Sequence, residues 1–242
     1  MSTTSGRAQG VRARARAEMR TEILDAARRE LATQGPSGLS LRQVAREVGM
    51  VSSAIYRYFD NRDALLTALI IDAYDSLGAA VEAAEARVPR ADLPGRWQAI
   101  AQSVRSWALV HPSLYALVYG SPVPGYAAPA DTIGPATRVT RLLAALIQDS
   151  LRGEEVTTEA APRARELSAE AVEGLAPLVE FMGPGTTEEQ AVSGLMAWTW
   201  LFGAVSFELF GQLVGAVAPE RRDDVFAAEA ERAAGWLGLT SA

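Results

Sequence analysis

A glycine at position 49 parts two short helical patterns in the stretch GLSLRQVAREVGMVSSAIYRYFDNRDALL, residues 38–66, and no other feature constrains the fold as much. Before it, Ser40-Leu41-Arg42-Gln43 has the form of a capping box, in which the serine starts the helix and the glutamine reaches back to the serine amide. The helix that follows turns Val44, Ala45 and Val48 inward. Gly49 then supplies a turn that suits a residue without a Cβ. After the turn, Ser52 or Ser53 caps a third helix in which Ile55 and Phe59, four apart, form the buried pair. Upstream, Met19, Ile23, Ala27 and Leu31 recur every four residues with Leu24 beside them. That stripe predicts a first helix over 20–34, stopped by Gly35-Pro36. Three short helices with a glycine turn between the second and third are the plan of a helix-turn-helix module.

Such a module asks the second helix to cross a nucleic-acid backbone while the third offers small and polar groups to base edges. With Ile55 and Phe59 turned inward, Ser52, Ser53, Tyr56 and Arg57 project from the other side. Serines approach a groove floor closely, an arginine forks onto guanine, and the Tyr56 and Tyr58 hydroxyls reach phosphates. The amide ends of both helices suit phosphate oxygens as well. The plainer reading is that helix–glycine–helix arises by chance in helical proteins. Charge weighs against it: residues 1–62 hold 11 arginines and 6 acidic residues, whereas residues 63–242 hold 12 and 23. The net charge of −6 therefore hides a basic head on an acidic body.

Asn61 and Asp63 start a long fourth helix, with Leu65, Leu66, Leu69, Ala73, Leu77, Val81 and Ala84 in helical period up to Pro89. Beyond it no strand pattern survives, and helices are expected over 96–110, 113–119, 136–152, 168–182, 187–217 and 219–237. A proline- and glycine-rich loop is expected at 120–135 and a polar excursion at 153–166. The expected organisation is all-α: a flexible basic arm at 1–17 with no secretory signal, a three-helix head at 18–64 and a larger helical body at 65–242. The chain has no cysteine and one histidine, so disulfides, cysteine metal sites and a cysteine nucleophile are excluded. No nucleophile–base pair, metal cluster or cofactor loop is legible, so neither an enzyme nor a bound cofactor or metal is expected. A cytoplasmic protein fits this composition.

The head, over about residues 18–70, closely resembles the DNA-binding domain of TetR-family transcriptional regulators. The resemblance is carried by Gly38-Leu39-Ser40, Val44-Ala45, Gly49, Ser52-Ser53, Ile55-Tyr56, Tyr58-Phe59, Asn61-Arg62 and Leu65-Leu66. It implies base or phosphate contacts by Ser40, Arg42, Ser52, Ser53, Ala54, Tyr56, Arg57 and Tyr58. Arg62 stands where the family commonly has lysine, and a phosphate contact is expected there too, with altered geometry. The resemblance further implies a homodimer that binds a palindromic operator, usually as a repressor, and lets go when a small molecule enters the C-terminal domain. RSWALVHPSLYALVYGSPVPGYAAP, residues 105–129, is similar to a sub-group of that family with Trp, His-Pro, Tyr and Gly at these intervals.

For the body two questions remain. The run 191–217 is long and apolar enough for a bilayer, but Glu208 lies inside it, so a buried helix without a membrane role is expected. Gly203, Gly211 and Gly215 would let another helix approach, and Phe207, Phe210, Val225 and Phe226 would add buried area to a four-helix dimer interface. Packing within one subunit is the alternative. Trp107, Tyr115, Tyr119, Phe181, Trp198 and Phe202 are candidates to line an effector cavity, each with core filling as its plainer role. His111, before Pro112, is a candidate effector ligand or a structural hydrogen-bonding group. Glu180 and Glu208 are the acids expected to be partly buried, without an evident partner. Control by a protein partner or a membrane tether, in place of a small molecule, is the competing functional reading.

Overall fold

The computed structural model describes residues 3–151 and 167–239. The polar excursion expected at 153–166 lies outside the described residues. Among those described there is helix, turn and loop but no strand, as the periodicity predicts.

Helix α1 spans Thr3–Gly38, with a break at Gly35 (φ 68°, ψ 174°) just before Pro36. The stop is where the sequence places it, but the start is not. The described part of the arm expected to be flexible continues α1 upstream. Alanine and arginine favour helix without any apolar stripe, so periodicity does not register this part. Helix α2 is Leu41–Glu47 and α3 is Ser52–Ile55. Gly49 between them has φ 69°, the left-handed conformation that glycine adopts at least cost. Neither expected cap forms. The residue before α3 is Val51, with Ser52 and Ser53 inside the helix, and the Ser40 hydroxyl makes no cap bond. Helix α4 runs over Arg62–Glu85, and Asn61 Oδ1 accepts the Ala64 amide at 2.8 Å, the expected cap.

Helices α5 (Leu93–Val110) and α6 (Pro112–Tyr119) follow. A 3-10 turn at Ala130–Thr132 leads into the four-residue α7 (Ile133–Ala136), and α8 covers Arg138–Ser150. Helices α9 (Ala169–Met182), α10 (Glu188–Leu209) and α11 (Arg222–Trp236) complete the described order.

Packing divides the chain into two units, differently from a linear boundary at 64/65. The first unit comprises the described residues of Met1–Tyr74 and His111–Ile133. Its core holds Ile23, Ala27 and Leu31 from α1, Val44 and Ala45 from α2, Ile55, Phe59, and Leu65 and Leu69 from α4. Helix α6 packs on α1, the Tyr74 hydroxyl donates to the Val118 carbonyl at 3.3 Å, and the Thr67 and Tyr126 hydroxyls lie 2.9 Å apart. The proline-rich loop thus belongs with the head.

The second unit comprises the described residues of Asp75–Val110 and Gly134–Ala242. Here α10 packs against α5, α8, α9 and α11. Thr187 and Gln190 form the reciprocal capping box at its start. Its end departs from expectation. The helix stops at Leu209, and Gly211 (φ 79°) and Gly215 (φ 81°) shape the turns that follow. Those two glycines therefore serve chain reversal, not close helix approach. Arg105, 5% exposed, forks onto Glu208 through Nε and Nη2 at 2.6 and 2.8 Å and also reaches Asp223 at 2.7 Å. The expectation that Glu208 has no partner is thereby corrected, and Glu180 is exposed rather than partly buried. The Trp97 indole donates to the Ala230 carbonyl at 2.7 Å, locking α5 to α11. Both α4 and α10 are long and apolar enough to cross a membrane. In α10, however, the charged Glu208 is engaged by a buried arginine, and four helices pack around it.

Candidate nucleic-acid interface and effector cavity

The edge of the head carrying α2 and α3 is built from the main chain outward. The Met50 amide bonds the Ala45 carbonyl at 2.8 Å, closing the glycine turn, and the Tyr58 and Phe59 amides both bond Ile55 O. Burial of Ile55 and Phe59 then forces Ser52, Ser53, Tyr56 and Arg57 outward, all four exposed. Ala54 and Tyr58 are half-buried. Arg42 is exposed on α2, and Ser40 is partly exposed at its start. An open recess of about 430 Å³ brings Ser40, Arg42, Tyr56 and Arg62 together with Asn61. Positive charge and hydroxyls on one edge suit a polyanion.

Arg62 is also engaged within the head. Its guanidinium turns toward the strap between α1 and α2, donating through Nη2 to Pro36 O at 2.6 Å and through Nε to Leu39 O at 3.2 Å. Two of its five N–H donors are spent on the main chain, a forked pattern that a point-like ammonium would not reproduce. Two further arginines, absent from the predicted set, hold the turn that follows α3. Arg16 Nη2 donates to Arg57 O at 2.7 Å, with its guanidinium 5.3 Å from the centre of the Tyr58 ring. Arg20 lies 4.4 Å from the centre of the Phe59 ring. Residues 16 and 20 are four apart on one helix face, a signal visible once α1 is extended upstream. Arg28, joined to Asp25 and at 2.5 Å to Asp72, ties α1 to α4.

In the body, a cavity of about 200 Å³ opens between α8, α9 and α10. Phe181 and Trp198, both predicted, line it with Leu143, Ile147, Met182 and Leu195, and Thr140 is its polar side chain. Phe202 is buried with its ring 6.0 Å from that of Trp198. The remaining predicted residues lie elsewhere. Trp107 is buried and donates to the Ser76 hydroxyl at 3.0 Å. Tyr115 and Tyr119, 5.0 Å apart, form an aromatic cluster with Tyr74 in the first unit, where His111 also falls. Burial pushes the Tyr74 and Tyr119 hydroxyls above the ordinary tyrosine range. Phe181 and Trp198 share the cavity of the second unit, and His111, Tyr115 and Tyr119 belong to the first.

A second recess, about 310 Å³, gathers Gly203, Phe207, Val225 and Phe226 from the predicted interface set, beside Glu208 and Arg222. Phe207 is 57% exposed and Phe210 47%, and a Cβ at Gly203 would meet nothing within 4 Å. Gly211 stands apart from them in the post-helical turn.

Two family models match this chain. Residues 23–69 match bacterial regulatory proteins of the tetR family, and residues 97–233 match a tetracyclin repressor-like C-terminal domain. The HTH-type transcriptional regulator Rv1816 of Mycobacterium tuberculosis is 39% identical over 206 residues, covering 84% of this chain and 86% of that protein. The crystal structure of the regulatory protein SCO4313 is similar at a TM-score of 0.71 and 33% identity, covering 92% of this chain and 98% of the other. A Rhodococcus sp. RHA1 protein is similar at a TM-score of 0.64 and 27% identity, over 92% and 95% of the two chains.

Proposed function

Because the chain belongs to the TetR family of DNA-binding transcriptional regulators, we propose that it is a cytoplasmic, homodimeric repressor that an apolar small molecule releases from a palindromic operator. The outward edge of Ser52, Ser53, Tyr56 and Arg57, continuous in sequence with the turn that Arg16 grips, carries the DNA half of this reading. Arg57 forks onto a guanine, the serines approach the groove floor, and Ser40, Arg42 and Tyr56 take phosphates. Arg62 supports the surface from behind. The cavity beside Phe181 and Trp198, with Thr140 as its polar side chain, carries the effector half. A ligand there acts only through a difference in affinity between two arrangements of the dimer. The face bearing Gly203, Phe207 and Phe210 meets its copy across a two-fold axis.

The same exposed phenylalanines favour a second reading, control by a protein partner. Selection of genomic fragments by the full-length protein, followed by sizing of the free protein, separates the two. A palindrome bound by a dimer, and released by an apolar compound that raises the melting temperature, supports the small-molecule reading. A monomer with only salt-labile, sequence-independent binding moves control to a partner.

A further inference from the structure

The strap joining α1 to α2 is gripped by charged groups from two helices. Arg62 of α4 holds its carbonyls, at Pro36 and Leu39. Glu30 of α1 holds its last amide, with Oε1 accepting from the Ser40 N–H at 3.1 Å. Glu30 is only 7% exposed, and its Oε2 is buried without a hydrogen-bond partner. A carboxylate with one bare oxygen in an apolar setting costs folding free energy. Burial accordingly pushes the Glu30 carboxyl above the ordinary glutamate range against the pull of the Ser40 amide, with Glu47 adding to the rise. An apolar side chain of similar length would avoid that cost.

What the carboxylate supplies is visible at Ser40. This residue is extended (φ −133°, ψ 121°) and begins α2, and its carbonyl accepts the Val44 amide at 3.0 Å. A serine so placed ordinarily spends its hydroxyl on an amide of the first turn, while a residue three positions on returns the bond to the serine amide. Here the hydroxyl makes no such bond, and the return bond comes from another helix, ten residues upstream. Gln43, which would have supplied it, is exposed. The start of α2 is held from α1, and the Ser40 side chain sits at the recess it shares with Arg42 and Tyr56.

We propose that Glu30 is a positioning residue for DNA recognition, holding the Ser40 amide so that the Ser40 hydroxyl is left to take a backbone phosphate. This rests on the phosphate-contact role proposed above for Ser40. The test measures affinity for one duplex, recovered by the wild-type protein from a random pool, with Ser40→Ala, Glu30→Gln, Glu30→Leu and the Ser40→Ala/Glu30→Leu double variant. Ser40→Ala should weaken binding roughly 3- to 10-fold, the worth of one hydrogen bond. Glu30→Gln keeps the acceptor and should bind as wild type. Glu30→Leu should weaken binding about as much as Ser40→Ala, and the double variant should bind no worse than either. Losses that multiply in the double variant, or wild-type affinity of Glu30→Leu, would overturn the positioning role while leaving Ser40 as a contact. No effect of Ser40→Ala would overturn it at the earlier step, the contact itself. Amide hydrogen exchange of the unmutated protein needs no variant to fold: a protected Ser40 amide is expected, and free exchange there overturns the proposal.

Discussion

The α2–α3 edge of the head and the core of the body use arginine with a different balance of main-chain and side-chain partners. Around α2 and α3, Arg16 and Arg62 donate to main-chain carbonyls and Glu30 accepts a main-chain amide, beside one side-chain pair, Arg29 of α1 with Glu47 of α2. In the body, arginines bind carboxylates on other helices: Arg96 takes Glu85 and Asp149, Arg105 takes Glu208 and Asp223, and Arg138 takes Asp75 and Glu82. The first pattern fixes the path of the chain and leaves the side chains of α3 free to face a ligand. The second cross-links helices and consumes both partners. Main-chain bonds from Arg16 and Arg62 thus stand beside side-chain pairs in the head, whereas in the body each of the three arginines joins two carboxylates.

The contrast breaks first in the body. Glu208→Ala leaves Arg105 buried without its main partner, and the unfolding free energy should fall by about 3–5 kcal/mol. Urea denaturation checks this, and joint replacement of both residues by Leu and Met should recover most of the loss. A loss under about 1 kcal/mol would place this pair with exposed ion pairs instead. Next in size is the exposed face of α10. Phe207→Glu should yield monomers on sizing columns and weaken operator binding about 100-fold or more, since each head would then bind alone. A persistent dimer would move the interface elsewhere. Smallest is Arg42→Ala, which should weaken operator and non-operator duplexes alike and flatten the salt dependence of binding by about one unit.

The glycine turn, the Asn61 cap and the buried faces of α1 to α4 were legible because each is encoded within a few neighbouring residues. The upstream reach of α1 was hidden because an alanine- and arginine-rich helix needs no apolar stripe. The end of α10 was hidden for the opposite reason: the apolar pattern runs on past Leu209, and only the positive φ of Gly211 and Gly215 reveals the break. The main-chain bonds of Arg62 were hidden because its carbonyl partners lie 23 and 26 positions away. Arg105 and Glu208 are 103 residues apart, a pairing that no local pattern announces. The aromatic set divided for the same reason, since adjacency in composition does not say which helices share a cavity.

The most direct test compares Arg57→Ala with Arg16→Ala across single-base variants of the selected duplex. If the side chains of α3 and of the turn after it read and the arginines behind them hold the backbone, Arg57→Ala should lose about 1–3 kcal/mol of discrimination at one base pair per half-site and keep the rest. Arg16→Ala should then weaken every duplex by a similar factor, with the preference profile unchanged. A profile altered at one position by Arg16→Ala and untouched by Arg57→Ala would contradict the division of labour on which this account stands.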